Sequence, residues 1–121
     1  WEGAMSAAHY KLDTLTVIAD RNKIQIDGFT EDIMSVEPYA DKWRAFGWEV
    51  REIDGHSMAE VVSTLRSVPF VPGKPSLILS HTVKGKGVSF MENNYVWHGG
   101  APKGELAEQA TREVAAALEG K

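Results

Sequence analysis

Apolar positions along the chain fall into two periods, one helical and one extended. Trp1, Ala4, Met5, Ala8 and Leu12 recur at helical spacing and predict an opening helix. Gly3, Ala4, Ala7 and Ala8 are small enough to let that helix approach a neighbour closely, so the stripe reads as core. Leu15 to Ala19 is a near-continuous apolar run, which predicts a first strand buried on both faces, as in a parallel sheet. Ile24 and Ile26 alternate into Asp27-Gly28, a turn dipeptide. Residues 29–36 read as a loop. Pro38 fits the first position of a helix and Gly47 the position just past its end, with Tyr39, Trp43 and Phe46 spaced to share a face as core. Trp48 to Ile53 predicts a second long strand, closed by the turn Asp54-Gly55-His56. Ser57-x-x-Glu60 is a capping box before a helix carrying Met58, Val61, Val62 and Leu65 and ending before Pro69. Ser76 to Ser80 predicts the third long strand. After a long loop over 88–102, a helix over 103–118 is expected to turn Leu106, Ala110, Val114 and Ala117 inward, with Glu108 and Arg112 pairing on its outer side.

Alternating helices and strands joined by crossovers imply an α/β fold with a parallel sheet and helices packed on it. At 121 residues the chain is one domain or part of one. Its opening, Trp-Glu-Gly-Ala-Met, reads as the middle of a helix with no cap before it, so the expectation is a fragment of a longer protein. A formal net charge of -4 argues against general nucleic-acid binding. The absence of cysteine excludes disulfides and thiolate metal sites. No apolar run has the length of a membrane span and no signal-peptide pattern opens the chain, from which a cytoplasmic protein is expected.

Ligands of open α/β sheets bind beyond the carboxyl ends of the strands, and the candidate chemistry lies there. Asn22 follows the first strand in Asp20-Arg21-Asn22. Its side-chain oxygen is a neutral hard donor suited to Mg²⁺ or Ca²⁺, and equally a residue that favours turns. His56 follows the second strand, where a turn role outweighs catalysis, and His9 lies off the apolar stripe of its helix as an exposed residue. Thr82-Val-Lys84-Gly-Lys86-Gly87 follows the third strand. It offers backbone N–H and ammonium groups to a phosphate or diphosphate, or is a solvated basic turn; it is not a Walker A loop. In Trp97-His98-Gly99-Gly100-Ala101-Pro102, the glycines would let a ligand approach the backbone. A histidine there can serve as acid, base or hydrogen-bond partner near neutral pH, or have no role. Paired carboxylates at helical spacing, Ser-x-x-Lys, Gly-x-Ser-x-Gly and His-Glu-x-x-His are all absent.

Taken together, these segments resemble the transketolase family of thiamine-diphosphate enzymes. The likeness runs from Trp-Glu-Gly-Ala-Met-Ser-Ala-Ala-His-Tyr-Lys-Leu-Asp through Asp-Arg-Asn-Lys-Ile-Gln-Ile-Asp-Gly, Ala-Phe-Gly-Trp-Glu-Val and Asp-Gly-His-Ser. It continues through His-Thr-Val-Lys-Gly-Lys-Gly-Val-Ser-Phe-Met-Glu-Asn to Trp-His-Gly-Gly-Ala-Pro. It is most similar to the form split into two chains. The resemblance implies that residues 1–121 form the C-terminal part of a thiamine-diphosphate-binding domain, a parallel sheet with helices on both faces. It implies that Asn22 and the carbonyl of Ile24 hold Mg²⁺ (or Ca²⁺), that the Ile24 side chain lies by the thiazolium and that Lys84 reaches the diphosphate. His98 would stand near diphosphate and substrate as the catalytic residue, and Glu2 would join a carboxylate network at a dimer interface. The family's Gly-Asp-Gly is absent and would lie just upstream of Trp1.

The implied reaction is transfer of a two-carbon ketol unit between sugar phosphates. It requires a C-terminal partner half and a homo-oligomer of the assembled enzyme, so this chain alone would be inactive. Two other readings are a 1-deoxyxylulose-5-phosphate synthase-like enzyme and a truncated, non-catalytic module. Val-Lys-Gly-Lys-Gly followed by Trp-His-Gly favours transketolase over the synthase.

Overall fold

A computed structural model describes residues 1–119. Its elements in chain order are α1 (Glu2–His9), β1 (Thr16–Arg21), β2 (Ile24–Gln25), β3 (Gly28–Phe29), α2 (Thr30–Ile33), α3 (Tyr39–Ala45), β4 (Glu49–Asp54), α4 (Met58–Leu65), β5 (Ser76–His81), a 3-10 turn (Tyr95–His98) and α5 (Glu105–Glu119). They form two compact units, Trp1–Arg21 with Val36–Thr82, and Asn22–Ser35 with the chain from Val83 onward.

The first unit is a parallel sheet in the order β1-β5-β4. Central β5 is buried from Ser76 to Ser80, and the continuous run Leu77-Ile78-Leu79 is what two covered faces demand. The register sets Val17 and Val50 on either side of Leu77. On that face lie the small residues Ala4 and Ala7 of α1, with Trp43 and Phe46 packed against the same cluster. Close approach of α1 is tied by the Trp48 indole N–H, which donates to the Ala4 carbonyl at 2.9 Å. Trp43 meets Trp48 edge-on with ring centres 4.8 Å apart, the geometry that aromatic quadrupoles favour. Side chains alternate across a strand, so Arg51 leaves β4 on the opposite face, where it donates to the Ser67 hydroxyl just past α4. Helices therefore flank both faces.

Local signals place the helix ends. Ser57 accepts the Glu60 N–H at 3.4 Å, one half of a capping box. The other half reaches further back, to the end of the preceding strand, since the Glu60 carboxylate takes the Asp54 N–H at 2.9 Å. Pro38 stands at the cap position of α3 rather than inside it, and Gly47 follows that helix at φ +95°.

Several expectations change. The strands run past their apolar cores to Arg21, Asp54 and His81. Strand β1 is not buried on both faces: it is an edge, Val17 and Ala19 are partly covered, and Ile18 is 59% exposed. The doubly buried strand is β5, because the chain returns to insert it between β1 and β4. Of the predicted helical stripe of α1, Ala4 is buried and Ala8 partly covered, whereas Trp1 and Met5 are half exposed and Leu12 lies beyond the helix end; Ala7, outside that stripe, is the other buried residue. The stretch 29–36 is not wholly loop, as it holds the end of β3 and the single turn of α2. The apolar stripe of α5 does not face inward: Leu106, Val114 and Ala117 are exposed, and only Ala110 is partly covered.

An unpaired edge strand is a template for pairing with another chain. The chain on its own is therefore expected to self-associate in light scattering at high concentration. Ile18→Lys should shift it toward monomer by charging that edge. A clean monomer for the unaltered chain would contradict this.

Candidate functional site

The end of β1 is held firmly. Arg21, 7% exposed, donates from Nε and Nη2 to Glu37 Oε1 at 2.9 and 2.8 Å. The other oxygen of Glu37 takes the Tyr39 N–H at 2.7 Å. Just before it, Asp20 accepts the Thr82 hydroxyl.

The second unit opens at Asn22. Its Oδ1 accepts the Ile24 N–H at 2.9 Å, the side-chain turn that asparagine forms with backbone two residues on. Lys23 takes φ +63° inside that turn, and its carbonyl accepts the Thr30 N–H at 2.9 Å. The chain thereby folds into the antiparallel pair β2–β3, with Ile24 opposite Phe29 and Gln25 opposite Gly28. An amide oxygen has two acceptor positions, so the Asn22 oxygen keeps one after meeting Ile24.

The basic segment folds back on itself. Lys86 N–H donates to the Val83 carbonyl, Val88 N–H to Gly85 and Asn93 N–H to Lys84. Glu92 accepts the Gly87 N–H at 3.0 Å and lies 3.5 Å from the Lys86 ammonium. The expected row of open N–H groups and two free cations is therefore largely self-satisfied. Lys84 differs: among the described residues its ammonium meets no carboxylate. Gly85 makes the turn possible at φ +73°, where a Cβ would stand 2.5 Å from the Met91 carbonyl oxygen.

His98 ends the 3-10 turn and is exposed. Asn94 caps that turn by accepting the Val96 N–H at 3.1 Å. Trp97 anchors it, donating its indole N–H to the Phe90 carbonyl at 3.2 Å and meeting the Phe90 ring edge-on at 5.3 Å. Strand β2 lies in contact with this turn. The fold thus brings the Ile24 strand and the His98 turn together, with Asn22 two residues upstream. Lys84 is in the same unit on its own turn. Glu2, His9 and His56 belong to the other unit: Glu2 and His9 are exposed on α1, and the His56 N–H donates to Asp54 after β4.

One organising residue has no signature in the sequence. Glu113 of α5 accepts the Ser89 N–H and hydroxyl, and the Gln109 amide at 2.7 Å. Its carboxyl is held below the ordinary value of 4.5, chiefly by the Ser89 N–H, then by Gln109 and the Ser89 hydroxyl. A glutamate on the polar side of an amphipathic helix carries no periodic signal.

Chemically, Asn22 Oδ1 and the Ile24 carbonyl are hard neutral oxygens, the donor class of Mg²⁺ and Ca²⁺. Among the described residues no three His, Asp or Glu side chains converge on a metal position. Two such oxygens would supply part of the donor set of a divalent cation, and the Lys84 ammonium carries the charge that would suit a phosphate.

Two outcomes follow. Gly85→Ala should cost roughly 1–3 kcal/mol, read as a lowered Tm, since both φ and the Met91 carbonyl resist a Cβ. Because the folded pKa of Glu113 is lowered, its tie to Ser89 is fully made above pH 4.5 and lost as pH falls through the lower folded value. The Ser89 amide resonance should report that titration in NMR, and Glu113→Gln should flatten it.

The model of the transketolase family's thiamine diphosphate binding domain matches residues 1–117. The chain is similar to an apulose-4-phosphate transketolase subunit of Phocaeicola vulgatus, 49% identical over 119 residues, which cover 98% of this chain and 42% of that protein. It is 46% identical over 114 residues to the 6-deoxy-6-sulfo-D-fructose transketolase subunit SqwG of a Clostridium species, covering 94% and 42%. A solved transketolase from Campylobacter jejuni superposes with a TM-score of 0.82 at 30% identity, over 94% of this chain and 18% of that one. The chain thus spans about two-fifths of the length of the curated subunits it matches.

Proposed function

The chain belongs to the transketolase family, as part of its thiamine-diphosphate-binding domain, and from that premise we propose that it serves as the diphosphate- and metal-binding half of an enzyme moving a two-carbon ketol unit between sugar phosphates. The observation that carries the reading is the second unit itself. It holds an oriented amide oxygen at Asn22, a cation at Lys84 without a carboxylate partner among the described residues, and an exposed imidazole on a turn in contact with β2.

When bound, thiamine diphosphate supplies the carbanion chemistry, and the protein supplies placement and electrostatics. Asn22, through Oδ1, and Ile24, through its carbonyl, would hold the divalent cation. The Asn22–Ile24 hydrogen bond fixes that oxygen in advance, so little ordering remains to be done on binding. Lys84 would reach the diphosphate as a point charge. His98 would orient the substrate and accept or donate a proton at an imidazole nitrogen. Both of these relatives are named as subunits of a transketolase, which supports a partner subunit here. Activity would then arise only in the assembled enzyme, a homo-oligomer in the cytoplasm. No helix among the described residues is long and apolar enough to cross a membrane.

A ligand that binds only the folded state raises apparent stability. Thiamine diphosphate should raise Tm in a Mg²⁺-dependent manner, in this chain assembled with a C-terminal transketolase half. Asn22→Ala should remove the Mg²⁺-dependent part, and Lys84→Ala should weaken binding by roughly tenfold or more, as for other hydrogen bonds to charged groups. Absence of any Mg²⁺-dependent shift in the assembled protein would sink the reading.

A further inference from the structure

Gln25 sits between Ile24 and the hairpin turn, and none of the roles assigned so far uses it. Its Nε2 is fully buried and has no hydrogen-bond partner, a condition shared among the described residues only by the Trp43 indole nitrogen. The two orphans differ. Trp43 lies among the rings of Trp1, Tyr39 and Trp48, and aromatic faces are weak acceptors. Gln25 has no such neighbour across the strand pair. Its cross-strand partner is Gly28, and directly opposed residues share a face. The side chain beside that place is Ile33, 3.6 Å from where a Cβ on Gly28 would stand, and it is apolar and accepts no hydrogen bond.

A primary amide carries two donors. Leaving them unmet in a buried setting is unfavourable, and replacing such a group by an apolar isostere removes that cost. Glutamine stands at a position where leucine or methionine, of similar size, would leave no donor unmet. We infer that Gln25 is a ligand-positioning residue whose Nε2 donates to a phosphoryl oxygen. This rests on the function proposed above. Its chemical sense is that phosphoryl groups are rich in acceptors, and the neighbouring protein groups of β2 and β3 are not. The last torsion of a glutamine is soft, so the amide can turn toward an arriving oxygen while the strand stays in place. The phosphoryl group could belong to the cofactor's diphosphate or to a sugar phosphate. Strand alternation sends the Gln25 side chain to the face opposite Ile24.

The test compares the unaltered chain, Gln25→Leu and Gln25→Glu, each assembled with a C-terminal transketolase half. Tm is measured without ligand, and titration calorimetry follows with thiamine diphosphate plus Mg²⁺ in one arm and fructose 6-phosphate in the other. Gln25→Leu should raise the ligand-free Tm by a few degrees while weakening binding about five- to tenfold, the range of one hydrogen bond. Gln25→Glu, the same shape with acceptors only, should weaken binding further and gain no Tm. A loss in the first arm assigns Gln25 to the diphosphate, and a loss in the second alone assigns it to the sugar phosphate. Gln25→Leu that lowers Tm and leaves both affinities unchanged would overturn the inference, marking Nε2 as satisfied by structural water. If the unaltered protein binds neither probe, the transketolase reading itself has failed and the ligand assignment falls with it. If it binds both and Gln25→Leu binds equally well, only the present inference is lost.

Discussion

Strand β5 is buried along Ser76–Ser80, and a buried backbone cannot leave its N–H and C=O groups unpaired. That constraint organises the first unit. It requires a strand on each edge, supplied by β1 and β4, and a helical layer on each face. Equal registers on the two sides bring Arg21, Asp54 and His81 level at the carboxyl end. The chain enters the second unit directly after two of those ends, at Asn22 and at Val83. The residues with candidate chemistry thus follow strand termini because the sheet must pair, before any ligand is considered.

Within the second unit the polar groups are largely used to hold one another. Asn22 orders the backbone of Ile24, Glu92 takes Lys86 and the Gly87 N–H, Asn94 and Trp97 fix the 3-10 turn, and Glu113 gathers Ser89 and Gln109. Among the described residues, the groups these contacts leave uncommitted include one acceptor position on Asn22, the Lys84 ammonium, the His98 ring and the amide nitrogen of Gln25. A site that binds an anion through a cation needs that cation to be uncommitted beforehand, because an ion pair must be broken before a new one forms. On that ground Lys84 and Lys86, alike in the sequence, have different capacities in the fold.

The parallel α/β order was legible because long apolar runs and capping signals are local. Ser57-x-x-Glu60 and Gly47 act within a few residues of themselves, and Tyr39, Trp43 and Phe46 do share a packed face. Strand order was not legible. The run at Leu15–Ala19 is as apolar as that at Leu77–Leu79, and only the return of the chain makes one an edge and the other the centre. Asn22 was visible as both a turn former and an oxygen donor, and its bond to Ile24 is compatible with both. The partnership of Lys86 with Glu92 was hidden because it needs the turn at Gly85 to close. Gln25 was hidden for a related reason: burial of a single atom with no acceptor opposite it depends on Gly28 being its cross-strand partner.

The two edges of the sheet also differ in kind. Strand β4 carries Glu49, Arg51, Glu52 and Asp54 along its length, and Glu52 is engaged by Arg44 at 3.2 Å and His81 at 2.9 Å. The His81 contact is the chief cause of its lowered pKa, with the Arg44 hydrogen bond adding to it against some desolvation. Charges so arranged oppose the addition of a further strand. Strand β1 has no charge before Asp20 and exposes Ile18 at its middle. An added strand on β4 would have to desolvate those charged side chains, whereas on β1 it would cover apolar surface and meet unpaired backbone. The chemistry of the edges therefore gives the sheet a direction of growth, and it is β1, the strand that leads into Asn22, that stands on the growing side.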